Sequence, residues 1–98
     1  MKTIDVFTAL GLVKARLNRM PSDRTLDDYL IPRIGAAVAE LEKTGITLTE
    51  STEDLMLVVD YAVWQYQNRD QSGSMPEWLR LRRRERWLQQ RGPEHDPG

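Results

Sequence analysis

Residues 52–70 read Thr-Glu-Asp-Leu-Met-Leu-Val-Val-Asp-Tyr-Ala-Val-Trp-Gln-Tyr-Gln-Asn-Arg-Asp, and this stretch decides the fold. Leu55, Met56, Leu57, Val58, Val59, Tyr61, Ala62, Val63, Trp64 and Tyr66 place apolar groups on nearly every side of a 3.6-residue repeat. A helix reads that way when other helices surround it. Ser51 or Thr52 followed by Asp54 resembles a capping box, and Glu53 and Asp54 put negative charge at the positive end of the helix dipole. Asn68 and Arg69 are placed to reach the last free carbonyls, and Ser72-Gly73-Ser74 breaks the run. The spacing therefore predicts a central helix over 52–70.

Working outward, a first helix is expected over about 4–18, with Val6, Leu10, Val13 and Leu17 on one stripe and Phe7 beside it. Met20-Pro21-Ser22-Asp23 breaks it. A second helix is expected over 25–44, capped by Thr25 and striped by Leu26, Tyr29, Leu30, Ile34, Ala37, Val38 and Leu41. Pro32 lies inside that pattern and removes a backbone bond to Asp28, so a kink is expected there. Gly35, Ala36, Ala37 and Ala39 form a small-residue surface for close helix approach, and Gly45 supplies a left-handed stop. Ser74-Met75-Pro76-Glu77 opens a fourth helix over 76–90. Trp78, Leu79, Leu81 and Leu88 are its expected contact face, with Trp87 far around the helix and exposed in the isolated subunit. The fold expected is all-α, a single domain of four helices over residues 1–91, followed by a mobile tail at 92–98.

Composition narrows the function. The 98 residues contain no cysteine, which removes disulfide and cysteine-based zinc or redox chemistry and suits a reducing compartment. No run approaches the roughly 20 apolar residues of a membrane span, so no membrane partner is expected. The single histidine, His95, falls in the expected tail, and there is no Gly-rich phosphate loop, nucleophile elbow or His/Cys metal pair. Asp27-Asp28, Glu40/Glu42 and Glu53-Asp54 are explained by helix starts and solvated faces. No catalytic site, metal or cofactor is expected, and the chain does not read as an enzyme.

Charge is what remains. The net charge is −1, yet residues 75–91 carry six arginines against Glu77 and Glu85, a local +4. Arg80, Arg82, Arg83, Arg84 and Arg86, interleaved with Trp78 and Trp87, are the candidate interface, because arginine and tryptophan dominate binding hot spots. Asp60, within the central helix, must face solvent, serve an interface or pair with an arginine such as Arg33 or one from the fourth helix. The structural pair is preferred.

The order of these segments carries a resemblance. A short helix precedes a second one ending Glu42-Lys43-Thr44-Gly45, and the central helix ends in Tyr61 to Asp70. Ser72-Gly73-Ser74-Met75-Pro76-Glu77-Trp78 then leads into the arginines. Together they resemble the head-tail connector proteins of tailed bacteriophages, the small head-completion or portal-adaptor proteins. The likeness spans about residues 5 to 91, and its most specific part is Trp64, Tyr66, Asn68, Arg69 and Asp70 followed by Met75-Pro76. The chain is shorter before its first helix than those proteins and lacks their long loop between the second and third helices.

What the resemblance implies is a non-catalytic virion assembly subunit. It would form a ring with copies of itself beneath the portal protein, extend the DNA channel, and meet a tail or stopper protein. The location implied is the head-tail junction of a virion, and the bacterial host cytoplasm during assembly. Trp78 and the arginines after it match the terminal helix that reaches the portal in such adaptors. The same +4 cluster supports an alternative, a small helical DNA-binding regulator, against which near-neutral total charge weighs. A helical dimer that regulates another protein is a third reading.

Overall fold

A computed structural model describes residues 4–70 and 73–91. It contains four helices: α1 (Val6–Arg16), α2 (Asp27–Lys43), α3 (Thr52–Gln67) and α4 (Glu77–Arg91). No strand occurs among the described residues. The all-α, four-helix architecture is thus the one expected, with most ends trimmed by one to three residues, the start of α3 unchanged and α4 one residue longer at its end. The expected tail at 92–98 lies outside the described residues.

Helices α1, α2 and α3 pack against one another, and α4 rests mainly on α3. The shared core takes Ala9, Leu10 and Val13 from α1, and Leu30, Ile34, Ala37 and Leu41 from α2. From α3 come Leu57, Val58, Val59, Tyr61, Ala62 and Val63. That breadth is what an all-round apolar helix requires: α3 is the element every other helix touches. Ile46 and Leu48, in the α2–α3 connector, close the core at one end.

Local chemistry sets the boundaries. Asp5 caps α1, its carboxylate accepting from the Phe7 N–H at 3.0 Å and the Thr8 hydroxyl at 3.1 Å. Ser51 caps α3 by accepting from the Asp54 N–H at 3.2 Å. Both α1 and α2 end in Schellman motifs. Asn18 takes the left-handed conformation (φ 61°) and Arg19 donates back to the Lys14 carbonyl at 2.8 Å. Gly45 does the same after α2 (φ 100°), with Ile46 donating back to the Leu41 carbonyl at 3.4 Å. Ile46 and Leu41 are both buried, supplying the apolar contact that accompanies this motif. Asn68 closes α3 through its side-chain amide, which donates to the Trp64 carbonyl at 2.9 Å.

Two expectations about α2 change. Thr25 does not cap α2: its N–H and hydroxyl both donate to Asp23 Oδ1, at 3.0 and 2.7 Å. Leu26 stands at the cap position without a side-chain bond, and Asp27 and Asp28 complement the dipole instead. At Pro32, α2 keeps its first turn and runs on without a break. Pro32 and Asp28 are both exposed, so water reaches the place where the backbone bond is missing. Of the small-residue surface only Ala37 is packed. Gly35, Ala36 and Ala39 are exposed, and a Cβ added at Gly35 would meet nothing within 4 Å.

Candidate interaction surface

Pro76 opens α4, its carbonyl accepting from the Leu79 and Arg80 N–H groups at 3.2 and 3.1 Å. Leu79 is the one fully buried residue of α4. What holds the helix besides Leu79 is mostly ionic. Asp60, 6% exposed, accepts from Arg16 of α1 at 2.6 Å through Oδ1 and from Arg82 of α4 through Oδ2. Asp54, 1% exposed, receives Arg86 in a forked pair, Nε to Oδ1 at 2.5 Å and Nη2 to Oδ2 at 3.0 Å. The Thr49 N–H and hydroxyl also donate to Asp54 Oδ2, at 2.8 and 2.9 Å.

Burial pushes the Asp54 carboxyl upward, but the Arg86 and Thr49 hydrogen bonds outweigh it and leave the group below its ordinary range. Arg86 is held correspondingly higher, mainly by its hydrogen bond to Asp54. Beyond this pair, Arg86 Nη2 donates to the Thr47 carbonyl at 2.8 Å. Gln90 accepts from the Thr47 N–H at 2.8 Å and donates to the Gly45 carbonyl at 2.5 Å. The C-terminal half of α4 is therefore tied to the α2–α3 connector by backbone-directed bonds.

This geometry redistributes the candidate interface residues. Arg82 and Arg86 point inward and are neutralised by Asp60 and Asp54. Asp60 finds its partner on the fourth helix, as one reading had it, and Arg16 joins; Arg33 instead lies over the Tyr29 ring. Trp87 is not exposed. It is half-buried against the core, with Arg91 stacked on it at 4.6 Å, and a Cβ placed on Gly45 would sit 3.0 Å from its indole nitrogen. The absence of a side chain at Gly45 makes room for that ring. Trp78, by contrast, is half-exposed, and so are Leu81 and Leu88, so the expected contact face of α4 is buried only at Leu79.

What remains outward is compact. Arg80, Leu81, Arg83, Arg84 and Trp87 line a groove of about 400 Å³ with Thr44 at the end of α2. Arg83 and Arg84 have no carboxylate within ion-pair distance among the described residues, and Arg80 has only Glu77, at 3.9 Å on an exposed turn. Such an exposed pair contributes little. Trp78 lies outside this groove.

The Trp64–Asp70 segment gathers a second cluster. Trp64 meets Tyr61 edge-on at 5.9 Å, and Tyr66 meets Tyr29 of α2 at 5.8 Å. Arg69 stacks on Tyr66 at 4.1 Å and donates to its carbonyl at 2.6 Å, while Asn68 acts as the helix cap. Sequence reasoning missed the pairing of Asp54 with Arg86. The signal available was the antiparallel match of two aspartates on α3 with two arginines one turn apart on α4. No protein-family model, curated protein or solved structure matches the chain.

Proposed function

We propose that the chain is a non-catalytic assembly subunit that docks through the outward groove of α4 onto an acidic, partly apolar surface. By its resemblance to head-tail connectors, that surface belongs to a portal protein. Copies of the chain in a ring and a tail or stopper protein complete the assembly at the head-tail junction of a virion. The observation that carries this reading is the grouping of Arg80, Arg83 and Arg84 with Leu81 and Trp87 around one groove, on a helix whose inner arginines are already satisfied. An apolar centre with unpaired arginines around it is the composition of binding hot spots.

The test is co-elution of the purified chain with the portal protein encoded beside it. Leu81→Glu and Arg84→Glu are the variants to use, since neither residue supports the fold. The expected result is a large complex with the unmodified chain and none with either variant, at unchanged helical circular dichroism. A complex that survives both substitutions refutes the groove as the docking site. The DNA-binding alternative predicts capture of duplex DNA by the four arginines not used internally, with a log-log salt slope of about −3.6. Salt-sensitive DNA capture without any portal complex would replace the first reading by the second.

A further inference from the structure

A second pocket, independent of the α4 groove, lies where α2 meets the end of α3. Its volume is about 200 Å³, and its wall includes Tyr29, Arg33, Trp64, Gln65, Asn68 and Arg69. Among the described residues no carboxylate lines it. Neither Arg33 nor Arg69 has an ion-pair partner among the described residues. Each guanidinium is stacked on a tyrosine, Arg33 on Tyr29 at 5.1 Å and Arg69 on Tyr66 at 4.1 Å, and those two rings pack on each other. Stacking fixes the plane of a guanidinium while leaving most of its N–H fork free to bind.

We infer that this pocket binds an acidic peptide segment of a partner protein, a glutamate or aspartate carboxylate lying between Arg33 and Arg69. Two guanidinium forks with no acid in the wall select a carboxylate or another anion. An acidic side chain has an apolar stem to lay against Tyr29 and Trp64, and inorganic phosphate has none. Size selects against a nucleotide, since sites for drug-sized molecules begin at about 300 Å³. Tyr29 and Trp64 give the methylene groups of the acidic side chain an apolar wall.

The experiment is an NMR titration of the full-length ¹⁵N-labelled chain with acetylated, amidated hexaglutamate. Hexaglutamine, a six-nucleotide thymidine oligomer and inorganic phosphate serve as comparison probes. Hexaglutamate is expected to shift the Trp64 indole and Gln65 side-chain amide resonances saturably, and the other three probes are not. Arg33→Gln or Arg69→Gln should each weaken binding at least tenfold, and the pair should abolish it. Both single variants should leave the fold intact, as judged by the dispersion of the spectrum. The inference is overturned if no shift occurs at the pocket, or if shifts are confined to α4. Equal binding of the oligonucleotide would assign the pocket to nucleic acid, and equal binding of phosphate would make it a simple anion site. Dilution of the chain alone moving the same resonances would assign it to a second copy. Each of these three results also overturns the inference.

Discussion

Replacing Arg86 by alanine tests how α4 is held. The substitution removes both donors that Arg86 gives Asp54 and the bond to the Thr47 carbonyl, leaving a carboxylate 1% exposed with only the two Thr49 donors. Removing one partner of a buried ion pair costs about 3–5 kcal/mol, because the other charge stays behind without compensation. Arg86 is 14% exposed at its side chain, so some water reaches the site and the lower end applies, about 3 kcal/mol. That exceeds the roughly 2 kcal/mol from burying Leu79, the only fully buried side chain of α4. A domain of this size has about 5–15 kcal/mol in total. The loss should therefore fall on α4 first. Amide hydrogen exchange should show residues 77–91 opening while core amides of α1, α2 and α3 stay protected. A double-mutant cycle with Asp54→Asn and Arg86→Met, followed by urea denaturation, should give a coupling of about 2–3 kcal/mol. A coupling below about 0.5 kcal/mol, or uniform loss of protection across all four helices, refutes the reasoning.

Three further outcomes follow from individual residues. The Asp54 carboxyl is lower in the folded chain than in the unfolded one, so it contributes stability at pH values above its unfolded range, near 4. That contribution is lost as pH falls through the folded value, and in Asp54→Asn the acid limb of the stability–pH curve should flatten. Gly35→Ala should stabilise by about 0.5–1 kcal/mol, read as a raised urea midpoint, because Gly35 is in mid-helix with open space around its missing Cβ. A lowered midpoint would show that the position is needed for approach by another helix. Gly45→Ala should destabilise by about 1–2 kcal/mol from the left-handed backbone alone, and should shift Trp87 emission because the new Cβ meets the indole ring. Unchanged emission would place Trp87 elsewhere.

The helices themselves were legible because their signals are local. The Ser51 cap, the Gly45 stop and the all-round apolar α3 depend on residues within one or two turns of one another. Thr25 was misread because a competing acceptor, Asp23, lies two residues away and takes its hydroxyl. The orientation of α4 was not legible, for a different reason. Its pattern offers two candidate inner faces, one rich in leucine and one in arginine, and periodicity gives angles between side chains without saying which direction meets the bundle. The choice is made by α3. Leaving Asp54 buried with no cation costs several kcal/mol and would leave Asp60 with Arg16 alone, whereas half-exposing Leu81 and Leu88 forfeits only about 1 kcal/mol each. So the arginine face turns in, and Trp87 turns in with it. The Tyr29–Arg33 side of the second pocket was invisible in the sequence because α2 residues some 35 positions upstream complete it.

The two ion pairs between α3 and α4 also act as a vernier. Arg82 and Arg86 are four residues apart, about 6 Å along a helix, and Asp60 and Asp54 are six apart, about 9 Å. Flexible arginine stems span the 3 Å difference, so both pairs close at one alignment of the two helices. A slide of one turn, about 5.4 Å, leaves at most one of them made. Uniform apolar surfaces tolerate such slippage, but mismatched spacings of opposite charge do not. The outward groove is thereby indexed along α3 to within one turn, and a partner reading Arg80, Leu81 and Arg84 meets them at a fixed distance from the rest of the molecule.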